Sequence, residues 1–132
     1  MVNVMPSAPG TMLRAQPTPE ITANFFRVLS SPIRIRVLRL LVRGERCVSE
    51  LVDELGIAQP RLSNHLACLR TCGFVAVRRQ GTFLYYALAD ARLVDILRLS
   101  ETLAVPSAGA LAACSMLRQE RLTDTNPDSD VQ

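Results

Sequence analysis

The 132-residue sequence predicts a mainly α-helical fold with a single β-hairpin, an α+β arrangement. Helix-start signals, in which a hydroxyl or carboxylate residue precedes an apolar-periodic segment, recur along the chain. Glycines stand where these periodic segments end. Two short segments of alternating apolar residues, FVAVRR and TFLYYAL, flank Gln80-Gly81 as strands flank a hairpin turn. A chain of this length is expected to form one domain.

The first two predicted helices each begin at a hydroxyl residue followed by proline. Thr18-Pro19 begins the first helix, and its apolar stripe is formed by Ile21, Phe25, Val28 and Leu29. Ser31-Pro32 begins the second helix, Gly44 ends it, and its apolar positions are Ile33, Val37, Leu38, Leu40 and Leu41. Each helix therefore has one face suited to packing.

Two shorter helices follow, and the sequence GIAQ separates them. The third is predicted over Val48–Leu55 with Gly56 as its stop, and the fourth over Gln59–Thr71 with Gly73 as its stop. The inward stripe of the fourth helix is formed by Leu62, Leu66 and Leu69.

After the hairpin, Asp90 caps a last helix over residues 91–104, which Pro106 and Gly109 interrupt before a short helical piece near residues 110–122.

The order αααα-ββ-α predicts a winged helix-turn-helix, whose fourth helix would enter the major groove of DNA. We expect a flexible N-terminal arm at residues 1–17 and a DNA-binding and dimerisation domain at 18–105. A C-terminal segment at 106–132 would end in a disordered acidic tail. The apolar stripes of the first and last helices exceed what one small core needs, so a homodimer is expected.

The charge distribution indicates a polyanionic partner. All 15 basic residues are arginine, and the formal net charge is +3. Residues 1–118 carry 14 arginines and 8 acidic residues, a surplus of 6, whereas the chain from residue 119 onward is acidic. The sequence has no run of 18 apolar residues and no secretory signal, so we expect a cytoplasmic protein without a membrane partner.

The residue inventory argues against an enzyme. The chain has one histidine, no glycine-rich phosphate loop and no paired acidic residues in an expected cleft. A protein-interaction module with a degenerate winged helix is a further alternative. Loss of all binding to duplex DNA, even at low salt, would support that alternative.

Candidate DNA contacts lie on the fourth helix and at the hairpin tip. With Leu62 set to 0° and about 100° per residue, Asn64 falls at about 200°, Arg61 at about 260° and His65 at about 300°. Gln and Asn side chains suit an adenine edge, Arg suits guanine, and Ser or His suits bases or phosphates. The predicted DNA-binding set is Gln59, Arg61, Ser63, Asn64 and His65 on the helix, and Arg78, Arg79 and Gln80 on the hairpin.

The fourth helix also carries two thiols on the side where candidate DNA contacts lie. Cys68 falls at about 240° and Cys72 at about 280°, one turn apart, so their sulfurs can share an ion. Their mean direction is close to that of Arg61. An ion held there and tied to another segment would reposition the helix, so we expect the thiols to sense a metal.

Three segments together resemble the ArsR/SmtB family of metal-responsive repressors. They are LSSPIRIRVLRLL at residues 29–41, ERCVSELVDELGIAQPRLSNHLACLRTCGFV at 45–75 and RRQGTFLYYAL at 78–88. Within the family, NHLACLRTCG followed by YYALAD is most similar to the CmtR-type cadmium and lead sensors. The resemblance implies a homodimer that represses metal-resistance or efflux genes by binding double-stranded operator DNA, and that releases the DNA when metal binds.

A soft ion bound by Cys68 and Cys72 calls for a third thiolate. The resembling sensors take their third cysteine from the C-terminal region, which favours Cys114 over Cys47. Cys47 lies in ERCVSEL, which resembles a two-cysteine box, ELCVCDL, but has Ser49 at the second position. We expect Cys68, Cys72 and Cys114 to bind Cd(II) or Pb(II), with Hg(II) also open, as an effector and not as a catalytic cofactor. The last helix has no histidine, so an Asp/His zinc or nickel site is not expected there.

The same cysteines leave a second hypothesis open, a redox- or arsenite-responsive repressor. A direct disulfide between Cys68 and Cys72 is disfavoured, because Cβ atoms four residues apart on a helix are separated by about 6 Å, whereas a disulfide needs about 4 Å. Metal titration compared with peroxide treatment, each followed by an operator-binding assay, separates the two hypotheses.

Overall fold

The computed structural model describes residues 16–117 and confirms the predicted winged helix-turn-helix. Four helices come first, with a two-residue strand before the third: α1 (Pro19–Val28), α2 (Pro32–Val42), β1 (Arg46–Cys47), α3 (Val48–Leu55) and α4 (Gln59–Thr71). The hairpin and the C-terminal helices follow: β2 (Val75–Gln80), β3 (Phe83–Leu88), α5 (Arg92–Ala104), a 3-10 turn (Val105–Ser107) and α6 (Ala108–Ala113).

Side-chain caps explain where α1 and α2 begin. The Thr18 hydroxyl accepts a hydrogen bond from the Ile21 N–H at 3.2 Å, and the Ser31 hydroxyl accepts one from the Arg34 N–H at 3.4 Å. Each bond satisfies an N–H that has no partner within its helix. Helix α5 begins at Arg92, one residue later than predicted, and its N-cap residue is Ala91, not Asp90, so it has no side-chain cap. The Asp90 carboxylate, one residue before the N-cap, accepts the Arg92 N–H at 2.9 Å.

The sheet is antiparallel with the order β1-β3-β2. The β2–β3 register runs from Val75 opposite Leu88 to Gln80 opposite Phe83, so Gly81 and Thr82 form the turn. The turn predicted at Gln80-Gly81 is therefore wrong by one residue. Gly81 has a φ of 62°, a left-handed conformation that glycine adopts without strain. Strand β1 was not predicted, because two residues are too few to show alternation.

One hydrophobic core lies between the helices and the sheet. The leucine stripe predicted for α4 is buried, and it packs with leucines of α2 and α3 and with the start of β2. Burial of several whole leucine side chains stabilises the fold by about 1.5–3 kcal/mol each. This core fixes which face of α4 remains in solvent.

Helix α1 has no fully buried residue and is attached by a few specific contacts. The Phe25 ring packs on Phe74, with ring centroids 4.9 Å apart. Arg34 of α2 is only 2% exposed, and its guanidinium donates to the carbonyls of Val28 at 2.7 Å and Arg27 at 3.5 Å. These carbonyls lie at the C-terminal end of α1, where a cation is stabilising.

Large apolar side chains remain exposed on α1 and along the C-terminal helices. The exposed residues are Ile21, Phe26, Leu99, Leu103, Val105 and Leu111. An exposed apolar surface of this kind is typical of an interaction face.

The C-terminal helix differs from its prediction. Helix α6 begins at Ala108, earlier than the predicted residue 110, and Gly109 lies inside it and does not interrupt it. The predicted arm at residues 1–17 and the acidic tail fall largely on residues 1–15 and 118–132, which are outside the described residues. Within residues 16–117, no helix has the length and apolar character needed to cross a bilayer.

Candidate DNA-binding surface and thiol site

Helix α4 presents a polar surface because its leucines fix the opposite face in the core. Gln59, Arg61, Ser63 and Asn64 are all exposed. The residue before the helix, Ala58, has no side chain that caps it. First-turn N–H groups of this helix therefore have no side-chain acceptor and can donate to an anion. The N-terminal half of α4 thus offers amide, guanidinium and hydroxyl groups suited to base edges and phosphates.

The structure contradicts the predicted position of His65 on the DNA-binding surface. Its side chain is only 3% exposed and lies with the core, not on the surface beside Asn64. The inward face of α4 is wider than the leucine stripe alone indicated, and a position about 60° from that stripe falls inside it. We therefore remove His65 from the surface set.

The hairpin forms a wing with Arg78, Arg79 and Gln80 exposed near its tip. The Arg78 guanidinium forms two hydrogen bonds with the Glu45 carboxylate, at 2.7 and 2.6 Å, and a third with the Gln80 side-chain oxygen at 2.7 Å. The bonds from Arg78 hold the pKa of Glu45 below its usual value. No ion pair to Arg79 is found among residues 16–117.

The thiol pair lies at the C-terminal end of α4. Cys68 is half-buried, Cys72 is exposed, and the Cys72 N–H donates to the Cys68 carbonyl at 3.0 Å. The two residues are thus one helical turn apart, as the sequence predicted. None of the four cysteines forms a disulfide.

The other two cysteines occupy different environments. Cys114 is half-buried just after α6. Within residues 16–117, no three Cys, His, Asp or Glu side chains converge where they could hold a metal ion. One chain therefore does not bring Cys114 together with the pair on α4. Cys47 is buried, and its sulfur lies 3.1 Å from the Ser49 hydroxyl.

A short connection links the thiol end of α4 to α1. Gly73, with a φ of 80°, ends the helix, and the Phe74 N–H donates back to the Leu69 carbonyl at 2.8 Å. The Phe74 ring then contacts Phe25 of α1. Sequence reasoning missed this contact, because nothing in the local pattern of either segment indicates its partner.

A cavity of about 410 Å3 lies between α2 and α5. Its lining includes the ion pair between Arg39 and Glu101, at 2.8 Å, and the side chain of Arg98. No cysteine lines this cavity. The thiol pair and the cavity are therefore separate features of the surface.

Comparison with known proteins identifies the family. Residues 31–77 match the family described as "Bacterial regulatory protein, arsR family". A relative from Streptomyces lividans, named a probable mercury resistance operon repressor, is 44% identical over 102 residues, which is 77% of this chain and 82% of the relative. This chain belongs to the ArsR family. Its relatives in this family are transcriptional repressors, and the chain is a regulator and not an enzyme.

Two solved mycobacterial structures share the fold. The crystal structure of Rv0081 from Mycobacterium tuberculosis is 33% identical, with a TM-score of 0.66, and the match covers 75% of this chain and all of that one. The solution structure of a homodimeric winged helix-turn-helix domain, Mb0332 from Mycobacterium bovis, is 27% identical with a TM-score of 0.59. That match covers 70% of this chain and 90% of the other.

Proposed function

We propose that this ArsR-family chain is a homodimeric repressor that binds operator DNA and releases it when a soft metal ion binds thiolates on α4. One observation carries the proposal. The exposed polar side chains at the start of α4 and the Cys68 thiol lie on a single helix of 13 residues, and Cys72 is the residue that caps the C-terminal end of that helix. A change at the thiol end that shifts the helix also shifts the side chains at its other end.

The DNA contacts of the proposal come from α4 and the wing. Gln59 and Asn64 suit adenine, Arg61 suits guanine, and Ser63 suits a phosphate or a base. On the wing, Arg79 is the cation best placed for a phosphate, because it is exposed and no carboxylate in residues 16–117 pairs with it. A protein that acts on operator DNA would work in the cytoplasm of a bacterium.

Dimerisation in the proposal uses the exposed apolar residues of α1 and α5. Ile21 and Phe26 on α1 and Leu99 and Leu103 on α5 are large apolar side chains that are exposed in one chain, and burial of such side chains against a second subunit would be favourable. The Mycobacterium bovis relative is described as homodimeric. A two-fold dimer would present two α4 helices to an inverted-repeat site.

The proposed metal site joins two subunits. Cys68 and Cys72 supply two thiolates, and the third comes from Cys114 of the other subunit, since one chain does not bring the three together. Thiolate ligands favour soft ions such as Hg(II), Cd(II) and Pb(II). The Streptomyces relative is named a probable mercury resistance operon repressor, which makes Hg(II) the first ion to test, followed by Cd(II) and Pb(II). Binding requires thiolates, so metal uptake releases protons and weakens at low pH.

The contact between Phe74 and Phe25 supports a route from the metal to the dimer interface. Phe74 follows Cys72 by two residues and touches α1, one of the two helices assigned to the interface. Metal binding that moves the end of α4 would move α1 and change the spacing of the two reading helices. A coupling free energy of about 3 kcal/mol, at the upper end of the usual range, lowers DNA affinity about 150-fold.

The direct test of the ligand set is ultraviolet absorption during titration with Hg(II), Cd(II) or Pb(II). The wild type and the Cys68→Ser and Cys72→Ser variants are compared, with Cys47→Ser as a matched control. Thiolate-to-metal charge transfer is expected in the wild type and in Cys47→Ser, and is expected to be lost or halved in the other two. A spectrum unchanged by loss of Cys68 and Cys72 would overturn the proposed site. A spectrum that survives Cys114→Ser would remove Cys114 from it.

A redox- or arsenite-responsive repressor is the second candidate, and the exposure of the Cys72 thiol favours it. In that case peroxide or arsenite would release the protein from DNA, whereas Hg(II), Cd(II) and Pb(II) would not. The operator-binding assay with each of these agents decides between the two candidates.

A further inference from the structure

The two adjacent arginines of the wing have different environments. Arg78 lies opposite Tyr85 on β3, and Arg79 lies opposite Leu84. Successive residues of a strand point to opposite faces, so the two guanidinium groups leave the wing on different sides. Arg78 meets Glu45, whereas Arg79 has no ion-pair partner among residues 16–117.

The bonds of Arg78 cross the whole sheet. Glu45 immediately precedes the edge strand β1, Arg78 lies on the other edge strand, β2, and β3 lies between them. The Arg78 guanidinium carbon sits 4.6 Å from the centre of the Tyr85 ring on β3, within the range of a cation–π contact. Tyr85 also pairs with Cys47 of β1. Carboxylate, aromatic ring and guanidinium thus connect all three strands.

These contacts engage all three nitrogens of the Arg78 guanidinium group. Its Nε and Nη2 donate to the two Glu45 oxygens, its Nη1 donates to Gln80, and its face covers Tyr85. A phosphate would have to compete with a bidentate carboxylate, which is a strong partner for guanidinium. The same bonds fix the direction in which the wing leaves the domain.

We infer that Arg78 is a positioning residue, and that the Glu45–Arg78 pair holds the wing so that Arg79 meets a DNA phosphate. This inference rests on the proposed DNA-binding function. It separates two arginines that the sequence alone places together in one set of contacts. Loss of either member of the pair frees the wing, so both losses weaken DNA binding in the same way.

The test is a double-mutant cycle with Glu45→Gln, Arg78→Gln and the two combined, with Arg79→Gln as the matched comparison. Affinity for a duplex selected by the wild-type protein is measured across a range of salt concentrations. Each single change at the pair is expected to lower affinity about two- to five-fold, with the double variant no weaker than either single variant. Arg79→Gln alone is expected to reduce the salt slope by about one per subunit, because one phosphate contact is lost. The charge-reversed pair, Glu45→Arg with Arg78→Glu, is expected to recover most of the affinity.

The opposite pattern would overturn the inference. If Arg78 contacts phosphate directly, Glu45→Gln would free it and keep or raise affinity, and Arg78→Gln would reduce the salt slope. Amide hydrogen exchange in β2 and β3 tests the same pair without DNA. It should rise about two- to five-fold in Glu45→Gln and Arg78→Gln but not in Arg79→Gln. Unchanged exchange in the first two variants would exclude the positioning role. A wild type that binds no duplex at low salt would instead refute the proposed function.

Discussion

The Phe25 ring of α1 and the Phe74 ring at the end of α4 pack with their centroids 4.9 Å apart. This contact joins a helix that has no fully buried residue to the chain segment just after Cys72. It is therefore both an attachment point for α1 and a direct connection from the segment after the thiols to the proposed dimer interface.

Replacing Phe25 by alanine is expected to loosen α1. Phe25 is half-buried, so the expected loss is about 2 kcal/mol, below the 3–5 kcal/mol typical of a fully buried phenylalanine. Chemical denaturation measures the loss. The matched control is Phe83→Ala at the wing tip, where the side chain is 56% exposed and the expected change is under about 0.5 kcal/mol. Equal losses in the two variants would contradict the attachment role.

Removing the buried guanidinium of Arg34 should also lower the free energy of unfolding, because this group donates a hydrogen bond to the backbone at the end of α1. Arg34→Met removes the guanidinium donor of the Val28 carbonyl, at a cost of about 1–3 kcal/mol, whereas the Arg27 carbonyl keeps its hydrogen bonds from the Ser30 N–H and hydroxyl. Arg36→Met removes an exposed arginine of the same helix and serves as the control. Thermal and denaturant unfolding of both variants give the comparison. A stability of Arg34→Met equal to that of Arg36→Met would show that the capping bonds contribute nothing.

The stability that the Asp90 carboxylate supplies at the start of α5 should fall in acid. Hydrogen bonds from the Arg92 guanidinium and then from its N–H lower the pKa of Asp90 from 3.8 to about 2. The folded state therefore binds fewer protons at Asp90 than the unfolded state does. The stability that Asp90 supplies is fully present above about pH 4 and is lost as the pH falls toward 2.

Denaturant midpoints of the wild type and Asp90→Asn, measured from pH 7 to pH 2, check this expectation. The wild type should be the more stable protein at pH 7, and the difference should shrink between pH 4 and pH 2. A difference that stays constant across this range would rule out the ionised carboxylate as its source.

The exposed apolar face of α5 should control the oligomeric state. Leu103 is 69% exposed, and Leu103→Glu places a charge where the proposed dimer buries an apolar side chain. Sedimentation should show at least a tenfold weaker dimer, with little change in the helical content of the monomer. Phe83→Glu, at another exposed apolar position, on the wing, should leave the dimer intact. A dimer of unchanged strength in Leu103→Glu would remove α5 from the interface.

The sequence predicted the helices of this fold better than the contacts between them. Glycine stops and leucine spacing gave the bounds of α3 and α4, because capping and periodicity are local properties. His65 was misplaced, because a helix face only 60° from the leucine stripe can lie on either side of the core boundary. The Glu45–Arg78 pair joins residues 33 positions apart, and local patterns carry no signal for such a pair.

For the thiol site as well, local spacing was predictable from the sequence and contacts between distant segments were not. Periodicity alone placed Cys68 and Cys72 one turn apart, and the backbone bond between them agrees. The third ligand could not be deduced in this way, since it depends on how the chain after α5, and a second subunit, pack against α4. The position of Cys114 within one chain does not complete the site.

Ion capture by the thiols at the end of α4 is expected to lower the affinity of the protein for DNA. The most direct measurement is the Kd for a duplex, selected from a random pool by the metal-free protein, with and without one equivalent of Hg(II) per subunit. The wild type is expected to lose affinity by about 150-fold, and the Cys68→Ser/Cys72→Ser double variant by less than about twofold. Equal Kd values for the metal-loaded and metal-free wild type, with Hg(II) shown to be bound at these thiols, would contradict the account.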